Sequence, residues 1–152
     1  MKIEVNASCL INQENIAPSV EDRLVAINVT NINDESDKFI NYTLAIDNDG
    51  QCCEWYGAEL FLFNNKQEEY FVNHIEHDTD DKNVINQLRE RLKSITTQPY
   101  EIDDILSNAV ISAVYGKNNK LLAIGVCWNY HNGYYAHEVF ADINGNTNVE
   151  LL

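Results

Sequence analysis

Basic residues are scarce in this chain: ten lysines and arginines stand against 24 aspartates and glutamates in 152 residues, for a formal charge of -14. A surface of that sign repels a phosphate backbone and an anionic lipid headgroup alike, which argues against direct binding of nucleic acid or membrane. No apolar run reaches the roughly 18 residues that a membrane-spanning helix needs. Glu4 interrupts the stretch where a signal peptide would carry its apolar core, so the expected location is the cytoplasm. Catalytic signatures are also missing. There is no Gly-x-Ser-x-Gly, no Walker loop, no dinucleotide fingerprint, no His-Glu-x-x-His and no calcium loop with its central glycine, so neither an enzyme nor a cofactor is expected. Cysteine is limited to Cys9, Cys52, Cys53 and Cys127. The adjacent pair Cys52-Cys53 points to opposite sides of an extended segment and is poorly placed to share a bridge or a metal, so reduced thiols are the expectation.

The chain has ample material for a core, at 45% hydrophobic residues, and its length is that of one ordinary domain, roughly 100 to 200 residues. Residues 1–152 are therefore read as a single domain. Alternation marks two strands, Arg23 to Asn33 and Phe39 to Asp47, joined by the polar link Asn33 to Lys38 and ended by Asn48-Asp49-Gly50. The aromatic run Gln51 to Phe63 is compatible with strand or helix. A short extended piece follows at Tyr70 to His74. From Lys82 to Ile95, Val84, Ile85, Leu88, Leu92 and Ile95 make one apolar stripe, and the acids Asp78, Asp80 and Asp81 stand at its positive end. Pro99 limits its continuation.

Ser107 to Gly116 alternates again, with Ala109, Ile111, Ala113 and Tyr115 on one side. Asn132-Gly133 then has the composition of a two-residue type I′ turn between Leu121 to His131 and Tyr134 to Ile143. Taken literally, that turn pairs Trp128 with His137, Val126 with Val139 and Ile124 with Ala141, and turns Cys127, Asn129 and Ala123 to the wetter side. The expected fold class is α+β: antiparallel hairpins ending in a three-stranded meander, packed with one main amphipathic helix. The turn-rich tail 144–152 frays unless Val149, Leu151 and Leu152 dock.

The acid excess is concentrated in the middle of the chain, with 17 acids against six bases between Asp34 and Asp104. A basic protein partner follows from that imbalance. The candidate contact residues are Asp34, Glu35, Asp37, Glu68, Glu69, Glu76, Asp78, Asp80 and Asp81, together with Tyr134 at the expected turn tip, because exposed aromatics anchor interfaces. The densest set of metal-ligand types is His74-Ile75-Glu76-His77-Asp78, where two histidines three apart would share one helical face. The competing explanation of its acids is helix capping, which makes His74 and His77 the weaker candidates. Paired histidine and cysteine for nucleophilic catalysis find no local support, since Cys127 and His137 fall on opposite faces of the expected hairpin.

Two stretches, Tyr-Thr-Leu-Ala-Ile-Asp-Asn-Asp-Gly-Gln-Cys-Cys-Glu from Tyr42 to Glu54 and Cys-Trp-Asn-Tyr-His-Asn-Gly-Tyr-Tyr-Ala-His-Glu-Val from Cys127 to Val139, resemble the DUF7448 domains of bacteria and their phages. The resemblance implies a hairpin organisation and a bacterial or phage-infected cytoplasm, and it transfers no activity or catalytic residue. The leading expectation is a non-enzymatic acidic binding protein that engages a basic partner, such as a phage-encoded inhibitor of a nucleic-acid-binding defence enzyme or an immunity protein against a nuclease. Two other classes are a small metal-dependent enzyme or regulator built on His74 and His77, and a structural scaffold that dimerises through exposed strand edges.

Overall fold

In a computed structural model, the residues described are 1–14, 22–33, 39–50, 55–64, 69–130 and 135–152. They form nine strands and two helices: β1 (Lys2–Asn12), β2 (Arg23–Asn31), β3 (Asn41–Asp47), β4 (Trp55–Leu62), β5 (Glu69–His77), α1 (Lys82–Leu92), α2 (Pro99–Ser107), β6 (Ala109–Tyr115), β7 (Leu121–Tyr130), β8 (Glu138–Ile143) and β9 (Asn146–Leu151). All nine strands belong to one antiparallel sheet in the order β4-β7-β6-β5-β1-β2-β3-β8-β9. The expected α+β arrangement of hairpins packed with one main helix is thus overturned. The body of the molecule is sheet, and two short helices cover part of it.

The sheet curls until its inner faces meet. Tyr42 on β3 reaches Ser112 on β6, and Gly125 on β7 lies under Ile27 on β2, although neither pair of strands is adjacent in the sheet. The core between these faces includes Val5, Cys9, Val29, Leu44, Ile46, Val72, Ile75, Val114 and Cys127. A second core lies outside it, where Val84, Leu88 and Leu92 of α1 and Ile102 and Ile105 of α2 pack on Ile111, Ala113, Ile124 and Val126. Strands β6 and β7 are therefore buried on both sides, which accounts for their nearly continuous apolar sequences.

Helix α1 is capped as its acids suggested, with Asp81 Oδ1 accepting from the N–H groups of Asn83 and Val84 at 2.9 and 3.2 Å. It stops at Leu92 and leaves Ile95 exposed. Pro99 opens α2 at its first turn, where the missing N–H costs nothing. Arg89 of α1 and Asp103 of α2 form an ion pair at 2.5 Å.

The expected hairpin between β7 and β8 does not form. Strand β7 lies between β4 and β6, pairing Trp128 with Gly57 and Ala109, whereas β8 lies between β3 and β9 and pairs Val139 with Ile46 and Glu150. Cys127, Asn129 and Ala123, assigned to a wet face, are all buried. Residues 131–134, where the sequence places a turn at Asn132-Gly133, lie outside the described residues. The type I′ chemistry is realised instead at Asn144-Gly145, where φ is 49° and 86° and Ile143 pairs directly with Asn146. The tail expected to fray is therefore a strand, paired with β8 from Asn146 to Leu151, and Leu152 packs against the core. Strand β1 has no counterpart in the sequence reading. Ile3, Val5, Ala7, Cys9 and Ile11 all contribute to the core side, and β1 joins β5 to β2 at the centre of the sheet.

Candidate functional site

Residues 74–81 leave strand β5 and enter helix α1, and the strand geometry decides what they can do. Three residues apart on a strand means opposite faces, not one shared face. His77 points inward: its Nδ1 lies 2.7 Å from the Tyr42 hydroxyl and its Nε2 lies 3.3 Å from Glu150 Oε1. His74 points outward and stacks on Tyr115, with ring centroids 4.7 Å apart and planes at 16°. The pair that was to share a metal is separated by the sheet itself, and among the described residues no cluster of three or more His, Cys, Asp or Glu side chains is arranged to hold a metal ion. The expectation failed because the segment is a strand, so helical spacing did not apply.

On the inner side, the carboxylate of Glu150 can only accept, so His77 Nε2 carries the proton and Nδ1 accepts from Tyr42. The Ser112 hydroxyl then donates to the Tyr42 oxygen. Burial pushes the Tyr42 phenol far above its ordinary range. With Tyr42 and Ser112 fully buried, this Ser-Tyr-His-Glu chain satisfies polar groups within the core, ties β9 to β5 and ends on the partly exposed Glu150 carboxylate.

On the outer side, a cleft of about 540 Å³ opens beside His74. The stacked His74 and Tyr115 rings form its wall, and Glu76, Asp80 and Asp81 contribute its charge. Lys2, Thr79 and Asn119 complete the lining. The Lys2 ammonium is held 3.2 Å from Glu4, and Thr79 Oγ1 accepts from the N–H of Asp81. None of Glu76, Asp78, Asp80 or Asp81 pairs with a lysine or arginine among the described residues. Asp78 stands exposed at the end of β5 with φ of 55°. The accumulated negative charge is felt by its neighbour: burial first, then the Asp81 and Glu76 carboxylates, push the Tyr115 phenol above its ordinary value.

Of the candidate contact residues, Glu76, Asp80 and Asp81 converge on this cleft, while Asp78, between them in sequence, is exposed but does not line it. Glu69 lies at the other end of β5, opposite Leu10, and takes no part. Asp34, Glu35, Asp37, Glu68 and Tyr134 lie outside the described residues, as do Cys52 and Cys53. Sequence reasoning missed Tyr115 as a site residue because its alternation with Ala109, Ile111 and Ala113 marked it only as a core position. Compared with known proteins, the chain matches no family model, no curated protein and no solved structure. No helix among the described residues is long and apolar enough to cross a membrane.

The remaining buried histidine is accounted for by local structure. His137 stacks on Tyr56 at 4.0 Å and holds Asp47 through Nδ1 at 2.6 Å, while the N–H of Glu138 donates to the other Asp47 oxygen. Burial alone would raise the Asp47 carboxyl, but the hydrogen bonds from His137, Glu138 and Asp49 and the charge on His137 outweigh it and hold it below the ordinary carboxylate value.

Proposed function

We propose that this is a non-enzymatic binding protein whose acidic surface receives a basic protein partner. The observation that carries the reading is the convergence of Glu76, Asp80 and Asp81 on one cleft, none of them ion-paired with a lysine or arginine among the described residues. Carboxylates not paired with a lysine or arginine keep their field available to a partner, and concentrated charge of one sign accelerates encounter with the opposite sign. A protein that binds nucleic acid fits best, because its phosphate-binding groove is lined with the bases that such a surface attracts. Inhibition of such an enzyme by occupation of that groove, or immunity against a nuclease, is the corresponding role.

The reading is tested by titrating a defined basic peptide into the wild-type protein, the cleft variant E76Q/D78N/D80N and a control variant, E14Q/D22N/D49N, that removes the same formal charge elsewhere. Asp81 is left in place because it caps α1. The cleft variant is expected to lose about tenfold in affinity, equivalent to about 1.4 kcal/mol, and the control variant about twofold or less. Binding should weaken steadily with added salt. Equal losses in the two variants would show diffuse attraction to an acidic protein and no site.

A further inference from the structure

The outer cleft holds more than a group of acids. His74 is only 7% exposed. Its orientation follows from a chain of amides: Asn73 Nδ2 donates to Asn6 Oδ1 at 2.9 Å, which turns Asn73 Oδ1 toward His74 Nδ1 at 2.6 Å. Nδ1 therefore carries the proton in the neutral ring, and Nε2 presents a lone pair. That nitrogen looks toward Glu76, whose Oε1 is 3.9 Å away, too far for a hydrogen bond, and it has no other partner among the described residues. The Tyr115 hydroxyl, which also lines the cleft, has no hydrogen-bond partner among the described residues, nor has the Asp80 carboxylate. A buried imidazole with an unused lone pair, a phenol and two carboxylates thus face one volume, and acceptors predominate among them.

A complementary ligand must be cationic and must present several donors in different directions. An ammonium is a compact point charge with three donors, whereas a guanidinium is a flat ion with five N–H groups spread in one plane and packs well along aromatic rings. The His74 and Tyr115 rings, stacked on each other, line the cleft together with the carboxylates of Glu76 and Asp80. We infer that this cleft is an arginine-receiving site, in which His74 Nε2, Glu76 and Asp80 accept from the guanidinium of a side chain inserted by the partner. The inference rests on the proposed function and specifies it: the partner is read through an inserted arginine and not by net charge alone.

Two synthetic peptides of equal length and charge, one carrying only arginine and the other only lysine as its basic residue, test it by calorimetry at matched salt. The arginine peptide should bind wild-type protein about tenfold more tightly. That preference should fall toward unity in E76Q/D80N, and by several-fold in H74F, which keeps a ring against Tyr115 and deletes the acceptor nitrogen. Thermal unfolding of H74F reports whether the buried substitution is tolerated; E76Q/D80N changes only partly or fully exposed positions and carries the test if it is not. Equal affinity of both peptides for wild-type protein, together with loss in E76Q/D78N/D80N, overturns the arginine inference and leaves the basic-partner reading intact. Equal affinity together with equal losses in the cleft and control variants overturns both.

Discussion

At the scale of single residues, burial sets the chemistry of the thiols and carboxylates. Cys9 is fully buried and its thiol is pushed up to about 12 by loss of solvation; Cys127 is raised further for the same reason. Thiolate is the reactive form, so both should resist alkylation in the native protein at neutral pH and react once it is unfolded. Peptide mapping by mass spectrometry checks this, and rapid native labelling of Cys127 would contradict its placement between β4 and β6. Asp47 gives a pH prediction. Its folded carboxyl lies below the ordinary value, so its ionic hydrogen bonds stabilise the fold fully above the unfolded value of about 3.9, and that contribution is lost as pH falls through the lower folded value. The D47N variant should be about 1–3 kcal/mol less stable than wild type at neutral pH. The gap should close in acid, as followed by denaturant unfolding across a pH series.

At the scale of elements, the close crossing of β7 over β2 depends on the absence of a side chain. A Cβ at Gly125 would lie 2.5 Å from Ile27 Cγ2 and 2.8 Å from Ile27 Cβ. Gly125→Ala is therefore expected to cost about 1–3 kcal/mol by overpacking, measurable as a lowered thermal midpoint. Gly145→Ala meets nothing within 4 Å, but its φ of 86° is strained for any L residue, so it should cost about 1–2 kcal/mol. The elements readable from sequence were those whose signal is local: the alternation of β2, β3 and β6, the apolar stripe of α1 and its Asp81 cap. Ile3, Val5, Ala7, Cys9 and Ile11 of β1 alternate in the same way, and all five pack on the core side. What could not be read was strand pairing. Two Asn-Gly dipeptides occur, both compatible with a type I′ turn, and tertiary pairing uses Asn144-Gly145 while separating β7 from β8 by most of the sheet. A dipeptide reports turn chemistry, but it carries no information about which strands the rest of the fold leaves adjacent.

At the scale of the whole molecule, the sheet's curl decides which polar residues face inward and which face outward. His77 is drawn into the core and bound to Tyr42 and Glu150, while His74 is left beside Tyr115 at a surface cleft. The acidity of residues 76–81 was visible in the sequence, and the proposal of a basic partner rests on it. The contribution of Tyr115 was not, because β6 reaches that cleft only through its pairing with β5, where Tyr115 stands opposite His74. Charge on this scale predicts a further behaviour: association with any basic partner should be fast at low ionic strength and slow sharply as salt approaches physiological levels, where screening acts over about 8 Å. Stopped-flow measurements of the association rate against salt check this, and a rate indifferent to salt would exclude electrostatic steering.

The proposed docking surface lies between β5, β6 and the start of α1. The most direct measurement is a nuclear magnetic resonance titration of isotope-labelled protein with the arginine peptide, following each backbone amide and the His74 ring. Saturable shifts are expected in residues 74–81, in Tyr115 and in the His74 ring, with β8 and β9 unmoved. Shifts spread evenly over the acidic residues of the molecule, or centred on another face, would contradict the proposal.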